Sequence, residues 1–116
     1  MLDILCNSPA ILIIEIVKNI INFFLLYLKE FKISSLPDNL KNGDYMFYNC
    51  QNAEFDITEL ANNAPVSGWS NLTNITNMFT NCLKITGSKS AFLSKCTNSK
   101  LTGANSAFTN CPLLTD

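Results

Sequence analysis

The chain has 116 residues, a formal net charge of −1, and neither His nor Arg. Without His there is no Ser-His-Asp or Cys-His dyad and no His-based metal site, and without Arg there is no bidentate phosphate clamp. Eight Lys against nine acids leave no basic patch to follow a phosphate backbone, so no nucleic-acid partner, no cofactor and no enzymatic activity are expected.

The remaining composition is uneven along the chain. Residues 1–33 are strongly apolar, whereas 34–116 are polar and hold most of the sixteen Asn. The join at Ser34-Ser35-Leu36-Pro37 is a helix stop, because Pro37 cannot continue a helix and restricts the residue before it. Upstream, Pro9 suits a first helical position, Asn7 or Ser8 can cap it, and Lys29 and Lys32 suit a helix C-terminus. The spacing therefore predicts a helix over 9–32.

Glu15, Lys18, Asn19, Asn22 and Lys29 fall on one polar stripe of that helix, and the rest of its surface is apolar. The apolar block of residues 10–28 is roughly 28 Å long at about 1.5 Å per residue, close to a bilayer core. Three roles are open to it: a membrane span, a cap over the second part of the chain, or an interfacial helix. Glu15 and Lys18 oppose the first, at roughly 2.5–3.5 kcal/mol each near the bilayer centre. The segment is not read as a cleavable signal peptide, since Asp3 stands where a basic region would be and no Ala-x-Ala site follows.

Residues 34–116 repeat. Four similar pieces are Met46-Phe47-Tyr48-Asn49-Cys50, Met78-Phe79-Thr80-Asn81-Cys82, Ala91-Phe92-Leu93-Ser94-Lys95-Cys96 and Ala107-Phe108-Thr109-Asn110-Cys111. Their Phe residues are 32, 13 and 16 apart, an irregular period. Phe55-Asp56-Ile57 and Leu83-Lys84-Ile85 alternate as strands with one buried face do. Such units are read as coils of a solenoid, with apolar positions stacked inward and Asn at the turns, where it hydrogen-bonds nearby backbone and tolerates left-handed conformations. Asn side chains at equivalent turns can then form ladders.

The Phe-x-x-Cys pieces behind Leu-Thr-Asn leads resemble the BspA-like leucine-rich repeats, including the surface-protein repeat with Met/Ala-Phe-x-x-Cys units. Residues 40–50, 72–85 and 101–114 carry the resemblance best. Joined to the apolar helix read above, it gives an expected α+β chain in which an N-terminal hydrophobic helix (1–33, anchor or cap) precedes a short, irregular leucine-rich-repeat-like β-solenoid (34–116). It also implies a non-catalytic, protein-binding or adhesion-type module at a cell surface, whose partner is another protein or a host surface. The alternative is a structural or assembly subunit, in which the helix and an uncapped C-terminal edge bury against further copies. The chain stops just after a repeat Cys, which suggests a fragment, an end covered by a partner, or an imperfect gene product.

Trp69, in Pro65-Val66-Ser67-Gly68-Trp69-Ser70, is a candidate partner anchor or a plug against the side of the repeats. Tyr45 and Tyr48 are candidate contact residues beside Met46-Phe47. Cys50, Cys82, Cys96 and Cys111 are expected as a buried column, with disulfides or a four-Cys metal site as the other readings. Glu54, Asp56 and Glu59 are expected on a solvated face rather than in a glycosidase-like pair. Asn71 and Asn74 begin glycosylation sequons, which matter only in a eukaryotic secretory setting.

Overall fold

The computed structural model describes residues 33–97 and 100–116. The expected helix over 9–32, with the membrane association it would provide, lies outside the described residues.

Six left-handed residues set the course of the main chain. Tyr45, Asn49, Asn77, Asn81, Ser106 and Asn110 have φ of 57°, 60°, 53°, 63°, 57° and 55°. They occur in pairs four apart, at the same two positions of segments 41–50, 73–82 and 102–111. Four of the six are Asn, the non-glycine residue best suited to this conformation. Each pair winds its segment into tight turns, closed in the first by Met46 N–H to the Gly43 carbonyl (3.0 Å) and Tyr48 N–H to the Tyr45 carbonyl (3.2 Å). The same two bonds recur in the second segment (Met78 to Ile75, Thr80 to Asn77) and the third (Ala107 to Ala104, Thr109 to Ser106).

This winding points every second N–H along one axis, toward the next segment. Gly43, Tyr45, Phe47 and Asn49 donate to the carbonyls of Asn74, Thr76, Met78 and Thr80 at 2.7, 3.0, 2.9 and 2.9 Å. Ile75, Asn77, Phe79 and Asn81 donate in turn to Gly103, Asn105, Ala107 and Thr109 at 2.8, 2.9, 2.8 and 3.0 Å. The segments are thus three layers stacked in parallel, with bridges at Asn42–Asn74 and Asn74–Gly103.

The expected β-solenoid is therefore corrected. The described residues contain two six-residue helices, α1 (Ile57–Asn62) and α2 (Lys89–Ser94), and two two-residue strands, β1 (Gly87–Ser88) and β2 (Leu114–Thr115). The strands form a single parallel pair, Gly87 with Leu114 and Ser88 with Thr115. The architecture is a small α+β one. Extended runs do not develop because a left-handed residue interrupts each layer every four residues. Nor does Leu83-Lys84-Ile85 alternate as a strand, since Leu83 is exposed and only Ile85 is buried.

Helices α1 and α2 are equivalent elements, and their caps show why they start where they do. Asp56 accepts from Thr58 N–H at 2.8 Å, and Ser88, 32 residues on, accepts from Ala91 N–H at 3.1 Å. Ala91-Phe92-Leu93-Ser94-Lys95-Cys96, expected as a fourth Phe-x-x-Cys copy, runs along α2 and corresponds to α1 instead. Without it the 13- and 16-residue steps merge into one of 29, and the Phe column advances by 32 and then 29 residues. Gly87 closes the α1–β1 corner. Its φ is +108°, and a Cβ there would collide with the Asp56 carboxylate and Thr58 N–H.

The core is an aromatic column crossed by an aromatic branch. Phe47 stacks on Phe79 (centroids 5.5 Å apart, planes 5°), and Phe79 on Phe108 (5.7 Å, 11°). Phe92 meets Phe79 edge-on at 5.3 Å and packs against Trp69 at 5.0 Å. Leu60, Leu72, Ile75, Met78, Ile85 and Ile57 fill the space around them, all fully buried. Phe79 alone touches both ring neighbours and the branch. Phe79→Ala should lower unfolding free energy by roughly 3–5 kcal/mol in a denaturant titration of the full chain, with a smaller loss for the half-buried Phe108→Ala. Equal losses would show that the column is not centred on Phe79.

Candidate binding surface

The turns of the three layers form one face, and its side chains are laddered as its backbone is. Asn81 Nδ2 donates to Asn49 Oδ1 at 2.6 Å, and Asn110 Nδ2 to Asn81 Oδ1 at 3.0 Å. All three are second left-handed corners, so the residue that permits the turn also links the layers. At the other end of each segment Thr73 Oγ1 reaches the Lys41 carbonyl at 2.9 Å and Thr102 Oγ1 the Thr73 carbonyl at 3.3 Å. Between them Asp44 Oδ1 accepts from Thr76 N–H at 2.9 Å, and Thr80 Oγ1 reaches the Ser106 carbonyl at 2.6 Å. The face is consequently fixed before any partner arrives.

Tyr45 and Tyr48 stand together on its first layer. Tyr45 is a left-handed corner and 44 % exposed, Tyr48 is half-buried, and their rings meet edge-on at 5.2 Å. The equivalent positions below carry Asn77 and Thr80, then Ser106 and Thr109. An aromatic pair thus tops a polar column.

Trp69 is placed differently. It has no exposed surface, its ring packs on Phe92, and its N–H donates to the Lys95 carbonyl at 2.9 Å. Gly68 makes that approach feasible: with φ at +82°, any Cβ would strike the Lys95 carbonyl. Trp69 therefore plugs the side of the layers and offers no surface to a partner. Its Nε1 has no hydrogen-bond partner among the described residues.

The cysteines separate by layer. Cys82 Sγ donates to the Phe47 carbonyl at 3.0 Å and Cys111 Sγ to the Phe79 carbonyl at 2.8 Å, so each thiol ties its layer to the one before. Cys50 occupies the same column and is disulfide-bonded. Cys96 stands apart from it, with its Sγ 3.8 Å from the Phe92 carbonyl of its own helix. Among the described residues no group of three or more Cys, Asp or Glu is placed to hold a metal ion. Asp56 is used as the α1 cap and Glu59 lies in the first turn of that helix, where a carboxylate suits the helix dipole. Asn74 has its Oδ1 engaged by Thr76, while Asn71 is exposed.

Burial pushes the Cys82 thiol from its ordinary value of 9.0 up to about 12, with the neighbouring Cys111 adding to the shift. Burial alone pushes Cys96 up to about 11. Cys111 is raised in the same way, opposed by the Cys82 backbone and by Lys89. The folded state thus favours the neutral thiol. Its contribution is complete below pH 9.0 and is lost as pH rises toward 12. The melting temperature of the chain should fall through that interval, and Cys82→Ala should flatten the fall relative to its own value at neutral pH. Parallel curves for the two proteins would remove Cys82 from the cause. No protein-family model, curated protein or solved structure matches the chain.

Proposed function

We propose that the chain is a non-catalytic protein-binding module, and that the turn face bearing Tyr45 and Tyr48 receives the partner. The observation that carries the reading is the aromatic pair of exposed Tyr45 and half-buried Tyr48 on a face whose corners are already hydrogen-bonded from layer to layer. A face fixed in advance loses little conformational freedom on binding, and Tyr supplies a large contact area with a polar tip. The absence of His and Arg from the sequence supports a binding role over catalysis. The resemblance to BspA-like surface repeats supports a protein or cell-surface partner and a surface or membrane-associated location. Among the described residues no helix is long and apolar enough to cross a membrane. A structural or assembly role is the second reading, favoured by the N–H groups of Ala104, Ser106, Phe108 and Asn110, which donate to nothing among the described residues.

Selection of a displayed random-peptide library on the immobilised full chain tests the proposal. Peptides recovered should lose about tenfold in affinity for the Tyr45→Ala/Tyr48→Ala variant, as truncation of an aromatic hot spot does, and keep their affinity for Leu113→Ala. Peptides indifferent to both tyrosines would refute the assignment of this face.

A further inference from the structure

Each layer of the stack ends on a cysteine. Cys50, Cys82 and Cys111 hold the same place, directly after the second left-handed corner of segments 41–50, 73–82 and 102–111. Cys50 is disulfide-bonded, whereas Cys82 and Cys111 are free thiols. Cys96 follows the C-cap of α2, outside this column.

The layers hold Cys82 and Cys111 in register from both sides. Just before them, Asn81 N–H donates to the Thr109 carbonyl at 3.0 Å, and Asn110 Nδ2 to Asn81 Oδ1 at 3.0 Å. Beyond them, β1 and β2 pair Gly87 with Leu114. The two cysteines also share an acceptor: the Phe79 carbonyl takes Cys82 N–H at 3.1 Å and Cys111 Sγ at 2.8 Å. Parallel neighbours lie about 4.8 Å apart, inside the roughly 4.4–6.8 Å between Cα atoms that a disulfide spans. Burial raises both thiols above their ordinary value, so at neutral pH they rest protonated, each donating to a carbonyl of the layer before.

We propose that Cys82 and Cys111 are a redox pair, which closes to an inter-layer disulfide when a small-molecule disulfide such as oxidised glutathione reaches the column. The half-buried Cys111 is the sulfur that meets the oxidant, and the buried Cys82 resolves the intermediate. Cys111 gives its proton to solvent and attacks the oxidant, forming a mixed disulfide and expelling one glutathione thiolate. Cys82 then loses its proton and attacks the Cys111 sulfur, and the second glutathione thiolate leaves. Both leaving groups take up protons. The cysteine pair is oxidised by two electrons, and one oxidised glutathione is reduced to two thiols.

Closure works against the stack. It removes the S–H donors from the Phe47 and Phe79 carbonyls. It also draws side chains spaced by about 4.8 Å toward the Cβ separation of about 3.5–4.5 Å that a disulfide prefers. A bond closed under strain is more easily reduced than a relaxed one, so the pair is a reversible switch and not a fixed staple. This inference is independent of the turn-face reading.

Incubation of the full chain with oxidised glutathione, followed by acid quench, alkylation in denaturant and peptide mapping, tests it. The chain should lose the mass of two hydrogens. One new cross-link should join the peptides holding Cys82 and Cys111, while Cys96 is alkylated. Excess reduced glutathione should return both thiols. Cys96→Ser should react as the parent chain does, and Cys82→Ser should stop at a glutathione adduct on Cys111. Thiols that all stay open to alkylation, a new cross-link that involves Cys50 or Cys96, or one that excess reduced glutathione leaves closed would each overturn the inference. The parent chain alone decides these three outcomes, whatever the stability of the variants.

Discussion

Everything in this fold depends on the paired left-handed corners. A segment of extended chain would present its N–H groups alternately to both sides, as strands do. Two left-handed residues four apart turn that geometry so that alternate N–H groups aim along the stack, while the residues between them close their own turns. The same winding brings one Phe per layer into the interior at a fixed height, which is why three rings stack nearly parallel. The ring column, the thiol contacts and the Asn ladder are consequences of that single choice of φ.

Parts of this were legible in the sequence, for identifiable reasons. The Met/Ala-Phe-x-x-Cys pieces at 46–50, 78–82 and 107–111 announce themselves because each layer solves the same packing problem with the same residues. The Asn ladder follows from Asn being both a left-handed turn former and an amide able to donate and accept at once. The α2 segment misled because Ala91-Phe92 and Cys96 imitate the layer motif. What distinguishes it is the lack of any turn-forming Asn before Cys96, together with Ser88 placed as a helix cap. Leu83 and Ile85 look alike in a pattern of alternating apolar residues, yet only the tertiary packing decides that one is buried and the other is not. Trp69 could be read from sequence as surface anchor or as plug. Gly68, whose missing side chain lets the backbone close on Lys95, is the local signal for the plug.

Polar side chains here tie one layer to the next. Cys82, Cys111, Thr73, Thr102 and Asn81 each place a donor on the preceding layer, so these side chains are rivets between neighbours. This is the physical content of a chain so rich in Asn and so poor in charge. It also explains why the functional reading rests on a surface and not on a reactive cluster.

The direction of the layer bonds has an electrical consequence. In each interface four main-chain donors point toward the third layer, opposed by a single reverse bond from Thr73 or Thr102. Peptide dipoles aligned in this way add, as they do along a helix axis. The turn face therefore has a positive pole where Ala104 to Asn110 leave their N–H groups open, and a negative pole at the carbonyls of Asn42 to Tyr48. Along this face the main chain itself sets up a polarity, which ordered side chains of low charge leave exposed at the two ends of the ladder.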